Sequence, residues 1–294
     1  PKDFFVNFKI FELKDSGADE GANKRTGGLR IAQTVDDPGN GGQPMIKNYN
    51  YHQEYDLNVT SGSVLTAPRY EYDYFLRIEK REGGSGACSS GAECAFLAYA
   101  STTNYPLATT SGGYTGYAFV KVDFGNNGYS THKFMSPAQA PDSPTTTFPF
   151  APVTTYEWRR GLLIDQKDYR RHSNGYSIVR HLKNEYGSDG ASFTTVLGLK
   201  VGQHSFLQSD CQASLSDPFL LSSSNYETFL TATEFQYLKS QTERIYSSVT
   251  ANQMMEKVTT FQYHPNYFQR VQSTTKDSKG RSWVTDYKYA THFT

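Results

Sequence analysis

Phe235-Gln236-Tyr237, Phe261-Gln262-Tyr263 and Tyr287-Lys288-Tyr289 are one aromatic-x-Tyr element met three times, at a spacing of 26 residues twice over. In an extended chain successive side chains point to opposite faces, so each triplet sets two rings on one face of a strand. A period of that length holds two ordinary strands and two short turns. Such a hairpin cannot bury its own aromatic face, and copies are expected to pair side by side into a long antiparallel sheet. A sheet made this way has open edges, so its last strand, Trp283 to Phe293, is where a partner is expected first.

Working outward, the same chemistry recurs. Val59–Leu65, Tyr70–Ile78, Tyr117–Phe124, Ser177–Tyr186, Phe193–Val201 and Glu256–Tyr263 are rich in β-branched and aromatic residues and read as strands. Gly125-Asn126-Asn127-Gly128, Ser173-Asn174-Gly175, Gly187-Ser188-Asp189-Gly190 and Asp277-Ser278-Lys279-Gly280 read as hairpin turns, each supplying a residue that tolerates positive φ. Helical periodicity is thin. Phe219–Leu230 and Asn252–Val258 could each hold a turn or two, giving at most two short helices. The fold class expected is therefore all-β: antiparallel sheets, a sandwich or an open shell built from consecutive hairpins. Loops are expected at Ser16–Asn23, Asp36–Pro44 and Gly83–Gly91. Ser136–Pro152, with five prolines in 17 residues, is the expected linker, either an extended surface connection or a structured crossover.

Composition narrows the function. With 29 basic and 29 acidic residues the formal net charge is zero, which argues against a nucleic-acid or anionic-membrane surface. Mean hydropathy is −0.62, yet 15% of the residues are aromatic, a combination foreign to disordered chains. No apolar run reaches the roughly 20 residues of a transmembrane helix. Pro1–Leu13 carries no signal-peptide pattern, and both ends read as cuts in a longer chain.

Several strings resemble those of long exported Bacteroidota proteins of the RHS/YD-repeat class. They are Gly27-Gly28-Leu29-Arg30-Ile31, Gly113-Tyr114-Thr115-Gly116-Tyr117 running on to Val122, Trp158-Arg159-Arg160-Gly161-Leu162-Leu163 running on to Tyr169, and the closing Tyr287-Lys288-Tyr289. The resemblance implies tyrosine-rich hairpins forming β shells or sheets, a place outside the cell or on the outer-membrane surface, and in some cases type IX secretion. It brings no catalytic residues. Tyr-Asp pairs occur only at Tyr55-Asp56 and Tyr72-Asp73, a departure from a regular YD spiral. On this reading residues 1–150 form an N-terminal β region. Residues 151–294 form a YD-repeat-like hairpin region continuing beyond Thr294.

No catalytic, cofactor or metal site is expected. The seven histidines lack metalloprotease spacing. His172 and His181 flank a turn and could approach each other across a hairpin, but a metal would need more ligands. Glu71 and Asp73 alternate on a solvated face and do not form a glycosidase pair. Cys88 and Cys94 flank a small-residue segment that could close a short disulfide loop, the alternative being two reduced thiols in a mobile loop, whereas Cys211 has no evident partner. The rings of Tyr70, Tyr72 and Tyr74 form a strip expected to fill a sheet interface. Trp158, Trp283, Tyr287 and Tyr289 are the candidate partner or ligand surface. The expected role is a non-catalytic structural or interaction segment of a secreted or cell-surface protein. Its edge strand would pair with the rest of its chain or with another surface protein. The alternatives are a carbohydrate-binding or carbohydrate-processing module and the shell region of an RHS-type toxin.

Overall fold

A computed structural model describes residues 29–290 apart from 40, 67, 82–87, 105–106, 108, 144–146, 204, 210–223 and 248–252. The chain is all-β, and its main body is one ten-stranded antiparallel sheet. In spatial order the strands are β1 (Gln33–Asp36), β2 (Met45–Asn50), β7 (Phe119–Asp123), β8 (Gly128–Phe134), β9 (Leu163–His172), β10 (Gly175–Gln203), β12 (Ser224–Tyr246), β13 (Met254–Tyr263), β14 (Arg270–Asp277) and β15 (Ser282–Asp286). A smaller sheet has β11 (Ser205–Ser209) parallel to β4 (Glu71–Arg81), which pairs antiparallel with β5 (Cys88–Tyr99). The two-residue strands β3 (Gly62–Ser63) and β6 (Gly116–Tyr117) pair with each other. Because β8 pairs directly with β9, the large sheet runs without a break across residues 150 and 151.

Turn chemistry places most of the hairpins where the sequence expects them. Gly128 closes the β7–β8 turn at φ +118°, and a Cβ there would lie 2.0 Å from the Tyr169 carbonyl oxygen, so only glycine fits. Gly187–Gly190 makes no hairpin turn. These residues lie inside β10, a strand of 29 residues and about 95 Å, and they meet β12 at a register shift between Asp189 and Thr194. Gly187 is held extended by its pairing with Tyr237. Gly190 instead opens a bulge in which residues 190–193 face Glu234 alone, Asp189 accepts the Ala191 amide and the Ser192 hydroxyl donates to the Asp189 carbonyl. Val59–Leu65 is mostly irregular, with only Gly62 and Ser63 in a strand.

The two expected helices are not formed. Residues 224–230 belong to β12 and residues 254–258 to β13, where cross-strand pairing overrides weak helical propensity. Residues 219–223 lie outside the described residues, as do Pro1–Leu13, the Ser16–Asn23 loop, Cys211 and most of Gly83–Gly91. Among the described residues the helical pieces are 3-10 turns at Gly125–Asn127 and Glu157–Arg159, with a further 3-10 residue at Ala290.

The 26-residue spacing is not a structural period. Phe235 and Tyr237 lie on β12 and Phe261 and Tyr263 on the adjacent β13, one strand away. Tyr287 follows β15, two strands further on. The first two triplets share one aromatic cluster, with Tyr237 and Tyr263 rings 5.0 Å apart and Phe268 stacked on Phe235 at 4.7 Å. Tyr287 reaches back to β14 instead, its amide donating to the Val271 carbonyl.

The tightest packing lies in the proline-rich connection between β8 and β9. Ala151 is fully buried, Phe150 is 5% exposed and the Pro137 side chain is enclosed. Arg160 donates to Asp142 at 2.8 Å in an ion pair whose two side chains are 0% and 2% exposed. Arg160 also donates to the Thr155 hydroxyl, and Asp142 accepts the Tyr156 amide. Nearby, Lys200 on β10 donates to the Phe150 carbonyl, and Glu227 on β12 accepts the Ala151 amide. The segment is thus a structured crossover holding one face of the β10–β12 ribbon.

Candidate functional site

The β14–β15 hairpin is built by its turn. Asp277 accepts the amides of Lys279 and Arg281 on one carboxylate oxygen and the Arg281 guanidinium on the other. Desolvation pushes this carboxyl upward, but the bonds from Arg281 and the two amides outweigh it and hold its pKa low. Gly280 completes the turn at φ +79°.

Backbone alternation then decides which groups of β15 are free. Asp277 donates to the Arg281 carbonyl and Tyr287 to the Val271 carbonyl, so residues 281, 283, 285 and 287 face β14. By the antiparallel rule the amides and carbonyls of Ser282, Val284 and Asp286 point outward, to the open edge. All five residues of β15 are exposed; Trp283 is 50% and Val284 56% accessible, one on each face. Arg281 lies over the Trp283 ring at 5.4 Å. The opposite edge differs. There β1 has four half-buried residues, and its Asp36 pairs with Lys47 of β2 at 2.7 Å.

The face that carries Trp283 also bears a ladder of alternating charge across the strands. Ser130 donates to Asp168 at 2.6 Å, and Arg180 bridges Asp168 and Glu243. Lys257 pairs with Glu243 at 3.0 Å and stands across from Asp277, which holds Arg281. Hydrogen bonds from Arg180 and Lys257 hold the Glu243 carboxyl below its ordinary range. Each charge has an opposite neighbour, so the row fixes strand register and leaves no net field.

The four candidate surface residues separate. Trp283 is the exposed one, and Tyr287 beside it is half-buried with its hydroxyl 3.2 Å from that of Ser273. That bond lowers the Tyr287 pKa. Tyr289 is half-buried just beyond. Trp158 is elsewhere and is a packing residue. It meets Tyr156 edge-on and donates its indole N–H to Glu234, as Arg159 does. Glu234 is buried, which pushes its pKa up, but these bonds and the Arg159 charge win and leave it lowered. Of the tyrosine strip, Tyr72 stacks on Phe148 at 6.1 Å, while Tyr70 is half exposed.

Neither a Cys88–Cys94 disulfide nor a close approach of His172 and His181 is formed. Cys88 and Cys94 lie on one strand, β5, opposite Arg81 and Leu76 of β4, which sets their Cα atoms roughly 17 Å apart, and Cys94 is a free thiol. A loop of small residues could have closed a disulfide, but β4 pairs with both ends of this stretch across a register shift and keeps the ends apart. His172 sits beside the turn opposite Gly175, whereas His181 lies six residues further along β10 and holds Asp165 at 2.5 Å. Among the described residues no group of three or more His, Cys, Asp or Glu side chains is placed to hold a metal ion.

Sequence reading singled out the aromatic rings and missed Ser282, Val284 and Asp286, whose outward backbone is the open edge. Their signal was the position of the Asp277–Gly280 turn, which fixes the parity of every residue after it. No known protein family, curated protein or solved structure matches this chain.

Proposed function

We propose that this chain is a non-catalytic scaffold segment of a secreted or cell-surface protein, working by extension of its sheet. The edge of β15 accepts an antiparallel strand supplied by the larger polypeptide or by a neighbouring surface protein. The observation that carries this reading is a regular five-residue edge strand with both faces exposed and three outward backbone positions. Pairing there adds main-chain hydrogen bonds, and Trp283 and Val284 gain neighbours on either face. Export, by a route of the type IX kind, rests on the resemblance of the Gly27–Ile31, Gly113–Val122 and Trp158–Tyr169 strings.

Limited trypsin digestion of the isolated chain and of the full exported protein tests it. Cleavage at Arg281 is expected in the isolated chain and protection in the exported protein. Val284→Pro, which removes only an outward N–H, is expected to restore cleavage. Equal cleavage in both forms overturns the proposal. The half-exposed Trp283 indole favours one second reading, carbohydrate binding by ring stacking. Glycan-array binding that disappears in Trp283→Ala would replace edge pairing as the leading account.

A further inference from the structure

Beyond the register shift at Asp189–Thr194, β10 and β12 continue as a two-stranded ribbon whose two faces differ. Residues 198, 200 and 202 share one face with Glu227 and Phe229. There the Phe229 ring lies over Gly198, Phe148 and Pro149 lie against Gly202, and Lys200 and Glu227 hold the proline-rich connection. On the other face Leu197 stands opposite Leu230, Leu199 opposite Thr228 and Val201 opposite Tyr226. Leu197, Leu199, Val201 and Tyr226 are 60–72% exposed, and Leu230 is 41% exposed. Nothing on this face is charged between Thr195 and Val201 or between Tyr226 and Ala232.

We propose that this strip is a self-association surface whose occupant is the same strip of a second copy. Two arguments select a second copy. The face is apolar and uncharged, and the chain has zero formal net charge, so a two-fold apposition brings no like charges together. It also lacks the basic rim an anionic lipid surface needs and the charges an acidic or basic partner would match. The area reaches the lower bound for a specific interface: about 500 Å² of exposed side-chain surface per copy gives about 1,000 Å² in the pair on full apposition, which fits a weak, reversible dimer. The product is two ribbons packed face to face about 10 Å apart, a small sandwich between two otherwise separate sheets.

Sedimentation equilibrium of the purified chain over a 100-fold concentration range tests this. A reversible dimer is expected. Leu199→Glu and Tyr226→Lys are each expected to raise its dissociation constant at least 10-fold with the far-UV circular dichroism unchanged. Val196→Glu, on the opposite face of the same strand, is expected to leave dimerisation unaltered, and so is Val284→Pro at the β15 edge. A monomer at every concentration overturns the proposal, as does a dimer that survives both strip variants. Dimerisation lost in Val284→Pro alone also overturns it, by placing the contact at the sheet edge. Tyr226→Lys alters a largely exposed side chain, so it keeps the test decisive if Leu199→Glu does not fold.

Discussion

The proline-rich connection between β8 and β9 and the far end of the β10–β12 ribbon invert the usual relation between regularity and burial. The connection has almost no regular structure, yet it holds Ala151, Pro137, Phe150 and the Arg160–Asp142 pair away from water. The ribbon is unbroken strand, yet Leu197, Leu199, Val201 and Tyr226 stand mostly in solvent. The difference teaches that strand propensity decides backbone conformation here, while burial follows from which face another segment crosses. Prolines, which have no N–H to satisfy, suit a segment packed against a sheet without joining its ladder.

The sharpest way to break this comparison is at the buried ion pair. Arg160→Ala leaves the Asp142 carboxylate buried without its counter-charge and is expected to cost about 3–5 kcal/mol in urea denaturation. A loss below about 1 kcal/mol would show that the connection is not a packed element. Removing a large side chain from each region gives the direct contrast. Phe150→Ala should cost about 3–5 kcal/mol, and Leu199→Ala less than about 0.5 kcal/mol at concentrations where the chain is monomeric.

Smaller effects come from titration. Glu234 has a lowered pKa in the folded chain, so the stability it contributes is complete above its ordinary value of 4.5 and is lost as pH falls through the folded value. Melting temperatures from pH 3 to 7 should fall less steeply on the acid side in Glu234→Gln than in the parent. The smallest effect is expected at His132. Burial lowers its pKa, and its Nδ1 is enclosed without a hydrogen-bond partner. The unfolded chain therefore takes up the proton first, and stability declines as pH drops below 6.5, the ordinary value. His132→Gln should flatten the profile between pH 5 and 6.5.

The all-β class, the antiparallel pairing and the turns at Gly125–Gly128, Ser173–Gly175 and Asp277–Gly280 were legible because each depends on local chemistry. Longer-range choices were not. Asp189 and Gly190 carry a turn's composition and open a local bulge, but β12 runs long enough to pair with β10 again from Thr194, so no hairpin forms. The even spacing of the aromatic triplets suggested a repeat because β12 continues well beyond Tyr237, an excess no local pattern reveals. Trp158 looked like a surface indole because Glu234, its hydrogen-bond partner, lies 76 residues away. At the candidate site Trp283 could be read from the sequence as an exposed ring. The outward set Ser282, Val284 and Asp286 required the register against β14.

Residue-resolved amide exchange across β15 tests the proposed edge pairing most directly, with the isolated chain compared to the chain within the larger exported protein to which the proposal assigns it. In the isolated chain Ser282, Val284 and Asp286 should exchange like unprotected amides, with Trp283 and Thr285 on the order of 100-fold slower. In the complete protein the outward three should become as slow as their neighbours. Outward amides that stay unprotected in the complete protein, or are already protected in the isolated chain, would contradict the claim that this edge accepts a strand.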